Sequence, residues 1–368
     1  MAWEPYVEFA NFICKFGEDT NLLDLANDVV LPALLSHPEK YEFMSSTYFL
    51  YETRLEMLPF DGRDELCLVG TFIQDTRHRS VQVFDPELGL VESLSETPYA
   101  TSASFVLILR NHKLLYYHET PEAPPLGSFK NVVTRNIRRY YKQYVDDRIA
   151  EAAAEVQSRK NPTKTAINAA KSATRRTYGR FTLEIISLSS EDDFRAYIQQ
   201  MSRLVSVRIE LVDTNDENDN DPFFDDVREK KEAIGSDRTA LSHENTEGLN
   251  REEAINQLSA ATAQGNSHIS VVGFDEAGVE IRGGATDYKT RITLPLESRE
   301  NRDGGSPDVE GNVISRTENA GILMRRMLSA FGAFVRRGVH IDETPEADAQ
   351  IIESKIAAVQ EQFNIGAG

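Results

Sequence analysis

STYFLYETRLEML at residues 46–58, ELCLVGTFI at 65–73, SVQVF at 80–84, SFVLILR at 104–110 and KLLYY at 113–117 follow one another with little but turns between them. β-Branched and aromatic residues dominate these runs, and the breaks carry turn chemistry: Asp61-Gly62, Asp85-Pro86 and Asn111-His112. Closely spaced runs of this kind, joined by short turns, predict consecutive antiparallel strands. Residues 1–125 are therefore expected to form a β-rich N-terminal domain, with one apolar helix near 21–35.

Working outward, PEAPPLG at 121–127 interrupts the chain before a long helical pattern near Ser128, whose hydroxyl is the expected N-cap. Residues 126–179 then read as a basic helical connector. RFTLEIIS, a helix opened by Ser190, and VSVRIELV predict a β-α-β unit. HISVVGF and VEIRG predict a hairpin over the turn residues Asp275 and Gly278, with KTRITLPL as a further strand. Residues 180–297 are thus expected to form an α/β domain, 298–315 a linker and 316–368 C-terminal helices. The fold class is α+β: an N-terminal antiparallel β-sheet domain, long basic helices, a β-α-β plus hairpin domain, and C-terminal helices.

The chain of 368 residues has ordinary globular composition and no run approaching 18 apolar residues. Its first residues, MAWEPYVEF, lack the basic and apolar parts of a secretory signal, so a cytoplasmic location without membrane insertion is expected. Cys14 and Cys67 have no metal-ligand spacing and read as reduced packing residues.

A net charge of -19 argues against a polyanionic partner until its distribution is considered. Residues 130–180 hold thirteen Lys or Arg against four acids, a local +9 that leaves -28 for the remainder. At 100° per residue, Phe129, Val133, Ile137, Tyr140 and Tyr144 fall on one core-facing stripe. Arg135, Arg138, Arg139 and Lys142 cluster on the opposite side, with Lys130 at the start of the segment. Farther on, Asn161-Pro162 is the expected helix start, Lys164, Lys171 and Arg175 share a stripe, and Ala166, Ala169, Ala170 and Ala173 form a face for close packing. Arg176 and Arg180 extend that second cationic surface. A third appears where Arg325, Arg326, Arg336 and Arg337 oppose Leu323, Met324, Met327, Leu328, Phe331, Phe334 and Val335. Like charges stacked one helical turn apart repel, so rows of them favour an anionic partner. These three faces are the candidates to line one groove for double-stranded DNA, gripped at its phosphates.

Other chemistry is less well supported. The acidic loop between Asp213 and Asp226 holds seven carboxylates but fails the EF-hand pattern at both candidate starts. Glu229 and Lys231 have nuclease-like spacing on a helix-like run instead of a strand. The histidines His37, His78, His112, His118, His243, His268 and His340 are scattered, and His112 and His118 read as surface residues. No phosphate-binding glycine loop or nucleophile motif occurs, so no catalytic residue, metal or cofactor is expected. A metal-dependent nuclease, and a module docking an acidic protein partner or anionic lipid, stand as alternative readings.

Several stretches carry a resemblance: STYFLYE, ASFVLILRNHKLLYY with the helix entry GSFKNVV, SVRIELV, ISVVGFDEAGVEI and ENAGILMRRMLSAFGAFV. In these the chain resembles the RexA-like phage-exclusion and KwaB-type antiphage defence proteins. The resemblance implies a cytoplasmic homodimer whose domains move relative to each other. It also implies non-specific binding of duplex DNA in phage defence, alongside a membrane-protein partner. The loop after SVRIELV is basic on the phage-exclusion side of the resemblance and reads DTNDENDND here.

Overall fold

YVEFANFICKF, Tyr6–Phe16, carries apolar side chains at both strand parities, the pattern of a strand covered on two faces. It forms β1, a strand the periodicity reading did not predict, and the computed structural model pairs it with three other strands of the large sheet. The structure describes residues 3–17, 20–36, 38–212, 222–236, 238–294, 316–336 and 346–365. The expected linker at 298–315, most of the acidic loop (213–221), Arg337, His37 and His340 lie outside the described residues.

A helical run follows β1: a 3-10 turn (Leu23–Leu25), a π turn (Ala26–Val30) and α1 (Leu31–Leu35). Strands β2 (Tyr41–Phe43), β3 (Ser46–Phe60), β4 (Arg63–Asp85), β5 (Gly89–Ile108) and β6 (Lys113–His118) then form successive antiparallel hairpins. Consecutive antiparallel strands are as the sequence predicts, except that SVQVF is the distal part of β4 instead of a strand of its own. From Arg77↔Pro98 out to Asp85↔Gly89, β4 and β5 pair only with each other among the described residues and project as a two-stranded arm. Its tip exposes Phe84, Leu88 and Leu90.

Next come the helical hairpin α2 (Leu126–Gln157) and α3 (Lys164–Thr177), then β7 (Phe181–Ser187), α4 (Glu191–Gln199) and β8 (Arg203–Leu211). The β-α-β order is present, but its two strands belong to different sheets. β7 pairs antiparallel with β1, whereas β8 pairs with β9 (Thr239–Glu244) and β10 (Ser267–Phe274). α5 (Pro222–Ala233) and α6 (Arg251–Gln264) flank β9, and β11 (Glu280–Gly283) completes the predicted hairpin with β10. The expected further strand exists as β12 (Arg291–Thr293), but it returns to pair with β1. α7 (Arg316–Arg336) and α8 (Glu346–Gln362) close the chain. The result is an α+β fold with an eight-stranded sheet, β12-β1-β6-β5-β4-β3-β2 with β7 beside β1, and a four-stranded sheet, β11-β10-β8-β9.

Side-chain alternation divides the large sheet into two cores. Phe105, Leu107, Leu114 and Tyr116 point to the face covered by α1, α2 and α8. Val106, Ile108, Leu115 and Tyr117 point to the other, covered by α7 through Met324, Met327, Phe331 and Phe334. A third core forms where Phe194 and Ile198 of α4 and Ile255 and Leu258 of α6 meet the small sheet. The two sheets are sewn together at Leu188, whose N–H donates to Phe9 O (2.8 Å) and whose carbonyl accepts from Thr290 N (3.0 Å). Asn11 Nδ2 donates to Asn266 Oδ1 at 2.7 Å across the same junction. Where β1 ends, Gly17 (φ +86°) passes Gly179 so closely that a Cβ on Gly179 would sit 2.6 Å from Gly17 Cα.

Local expectations also change. α2 starts at Leu126 behind Pro125, so Ser128 lies inside the first turn and is not its N-cap. α3 is capped by Thr163, whose hydroxyl accepts from Ala166 N, in place of Asn161-Pro162. Ser190 caps α4 as predicted, accepting from Asp193 N at 3.2 Å. His112 and His118 are buried, not surface residues. Burial, and secondarily the charge of Lys113, hold the His112 imidazole at about 3, so it remains neutral. Cys14 and Cys67 are free and buried, and burial pushes both thiols up. Among the described residues, no helix is long and apolar enough to cross a membrane.

Candidate nucleic-acid interface

The buried stripe of α2 runs Phe129, Val132, Val133, Ile137, Tyr141. Tyr141, rather than the predicted Tyr140, continues it, because Tyr140 is half-buried and donates its hydroxyl to Ser36 O at 3.0 Å. Asn136 interrupts this apolar stripe and is itself buried. Its Oδ1 accepts from Glu39 N at 2.8 Å, while its Nδ2 donates to Val132 O at 3.0 Å. A buried amide satisfied on both sides is a strong local constraint. It fixes the chain at residue 39 against α2 and brings Tyr41 of the edge strand β2 alongside the helix.

The opposite side of α2 carries Arg135, Arg138, Arg139 and Lys142, all exposed as the wheel predicts. With Tyr41, Glu39, Asn131 and Thr134 they line an open groove of about 730 Å³. Arg135 lies over the Tyr41 ring at 5.4 Å and Arg139 over Tyr140 at 5.2 Å, contacts that hold the guanidinium planes without neutralising them. Arg139 is also ion-paired with Glu39. Arg135, Arg138 and Lys142 have no ion-pair partner among the described residues. The row spans seven residues, or roughly 10 Å at 1.5 Å per residue, about three nucleotide steps at 3.4 Å each along one DNA strand.

Lys130 does not belong to this row. Its Nζ is 2.5 Å from Glu184 Oε2 of β7, and His268 Nε2 of β10 lies 3.4 Å from the same oxygen. Burial alone would raise the Glu184 carboxyl, but the hydrogen bonds from His268 and Lys130 prevail and hold it at about 2. This cluster ties α2 to both sheets.

α3 folds back along α2, fixed where Tyr141 donates to Gly179 O (3.1 Å) and Tyr144 meets the Tyr178 ring edge-on at 5.6 Å. Lys164, Arg175, Arg176 and Arg180 are exposed, and none of them lines the α2 groove. The alanine face does not pack as expected. The half-buried side of α3 is Ile167, Ala170, Lys171 and Thr174, leaving Ala166, Ala169 and Ala173 exposed and Lys171 partly covered.

The third face is elsewhere. α7 covers the opposite side of the large sheet from α2, so Arg325, Arg326 and Arg336 do not converge with the α2 row. Among the described residues, no three of His, Cys, Asp or Glu cluster as ligands for a metal ion. Sequence reasoning missed Glu39 and Tyr41 as groove residues, and the buried Asn136 that holds residue 39 against α2. Asn136 alone left a signal, as a polar residue within an apolar stripe. Neither a protein-family model nor a curated protein matches this chain.

Proposed function

We propose that the protein binds double-stranded nucleic acid without sequence preference, seating the phosphate backbone in the α2 groove. The observation that carries this reading is the row Arg135, Arg138, Arg139 and Lys142, left largely unneutralised in a chain of net charge -19. Four like charges one turn apart repel, and a polyanion relieves that repulsion while releasing its own counterions. Tyr41 and the neutral side chains Asn131 and Thr134 offer stacking and hydrogen bonding to sugar and phosphate. The acidic remainder of the surface repels nucleic acid and restricts it to this side.

The resemblance to RexA-like and KwaB-type proteins supplies the proposed setting: a cytoplasmic homodimer in phage exclusion, reporting duplex binding to a membrane-protein partner by domain or dimer rearrangement. Electrophoretic shift of labelled duplexes of unrelated sequence, with and without magnesium, tests the binding step. Equal shifts for all sequences without cleavage are expected. Cleavage abolished by EDTA would instead indicate a nuclease, and no shift at low salt together with capture of an acidic protein would favour a protein-docking role.

A further inference from the structure

The rim of the large sheet holds a second cationic cleft, on different elements from the α2 groove. It lies where the β3–β4 turn (Asp61-Gly62) and the β5–β6 turn (around Arg110 and Asn111) meet α7 and α8. Its volume is about 690 Å³, within the usual range of roughly 300–1,000 Å³ for small-molecule sites. Four guanidinium groups line it: Arg63, Arg110, Arg325 and Arg336. Two of them are fixed in place. The Glu65 carboxylate, 2% exposed, binds both Arg63 and Arg110, and Arg110 Nη1 also reaches Glu353 at 2.6 Å. Arg325 and Arg336, both exposed, have no ion-pair partner among the described residues. Asp61 is the one acid among the described lining residues, and Glu65 and Glu353 are committed to Arg63 and Arg110, so positive charge is in excess.

The same cleft has an apolar wall of Phe60, Leu328, Val335 and Ile352. Phe60 is braced by stacking on Phe331 at 5.6 Å. Arg325 and Arg336 are eleven residues apart on one face of α7, roughly 16 Å along its axis. Gly332 lies between them, and a Cβ there would stand 3.3 Å from Arg336 Nη1 and 3.6 Å from Phe60 Cε2. Glycine weakens a helix interior; here it keeps the floor of the cleft open.

A cleft that combines several guanidinium groups with an aromatic wall suits an anion that has an apolar, planar body. We propose that it is a binding site for a nucleoside phosphate, with the phosphates held by Arg325 or Arg336 together with the fixed Arg63–Arg110 pair and the base against Phe60. The two sites share no lining residue, so this site is independent of the proposed DNA groove.

Isothermal titration of the full chain with ATP, GTP, CTP, UTP and inorganic tripolyphosphate tests the proposal. At least one nucleoside triphosphate should bind, more tightly than tripolyphosphate. Arg325→Ala and Arg336→Ala together should weaken it by tenfold or more, from the loss of charge-assisted hydrogen bonds. Both residues are exposed, so the melting temperature reports independently that the variant folds. Gly332→Leu, which fills the floor, should also weaken binding, whereas charge reversal of the α2 row should leave it unchanged. Failure of all four nucleotides to bind at millimolar concentration overturns the proposal. So does binding indifferent to the two arginines, tripolyphosphate binding as tightly as nucleotide, or loss of nucleotide binding in the α2 variant.

Discussion

Lys130 and Arg138 look alike in the sequence, two cations in one basic helix, and the structure gives them different work. Lys130 is joined to Glu184, whose carboxyl is held at about 2, so the cluster favours the folded state whenever Glu184 is ionised. A carboxyl depressed in the folded protein contributes stability above its ordinary value of 4.5 and loses it as pH falls from there towards 2. Chemical denaturation of Glu184→Gln should therefore show a shallower acid loss of stability than wild type, with the two converging at low pH. Lys130→Met should lower stability by about 1 kcal/mol, the pair being part-exposed, and leave duplex affinity nearly unchanged. Arg138→Ala should do the reverse, with an unchanged melting temperature and weaker binding. A helical wheel could not name the partner of Lys130, because Glu184 lies 54 residues away in sequence. Glu8 is a deeper case, fully buried between His118 (Nε2 at 2.8 Å) and Lys289. Burial by itself would raise its carboxyl, but the hydrogen bond from His118 and the charge of Lys289 hold it below the ordinary range. Glu8→Ala leaves Lys289 without its carboxylate in the interior and should cost about 3–5 kcal/mol in a denaturant titration.

At the scale of elements, what the sequence revealed follows from how local each signal was. The hairpins β3 to β6 were legible because their strand runs and Asp-Gly and Asn-His turns are adjacent in the chain. β1 was not, since Glu8 and Asn11 interrupt its apolar run and are bonded by residues more than a hundred positions distant. The basic back of α2 was legible from its spacing. The packing face of α3 was not, because it is set by α2 and the Tyr144–Tyr178 contact. The β4–β5 arm lies apart from all three cores. Replacing residues 78–97 with Asn-Gly should therefore change folding stability by less than about 1 kcal/mol, as read from the denaturation midpoint.

Across the whole molecule, the sheet that organises the fold also sorts the positive charge. α2 and α7 cover its opposite faces, which divides the predicted single groove into an α2 surface and a rim cleft. The sequence could count these cations but not place them, since the arrangement depends on which face of a long-range sheet each helix covers. The proposed function rests on Arg135, Arg138, Arg139 and Lys142 gripping phosphate. Fluorescence anisotropy of a labelled duplex, titrated from low to moderate salt, measures this directly. Four contacts at about 0.9 each predict that log K falls by roughly 3 to 4 per decade of salt. The quadruple substitution Arg135→Glu, Arg138→Glu, Arg139→Glu and Lys142→Glu, folded with an unchanged melting temperature, should abolish most of that affinity and slope. Equal affinity and an equal salt slope in the folded variant would contradict the claim.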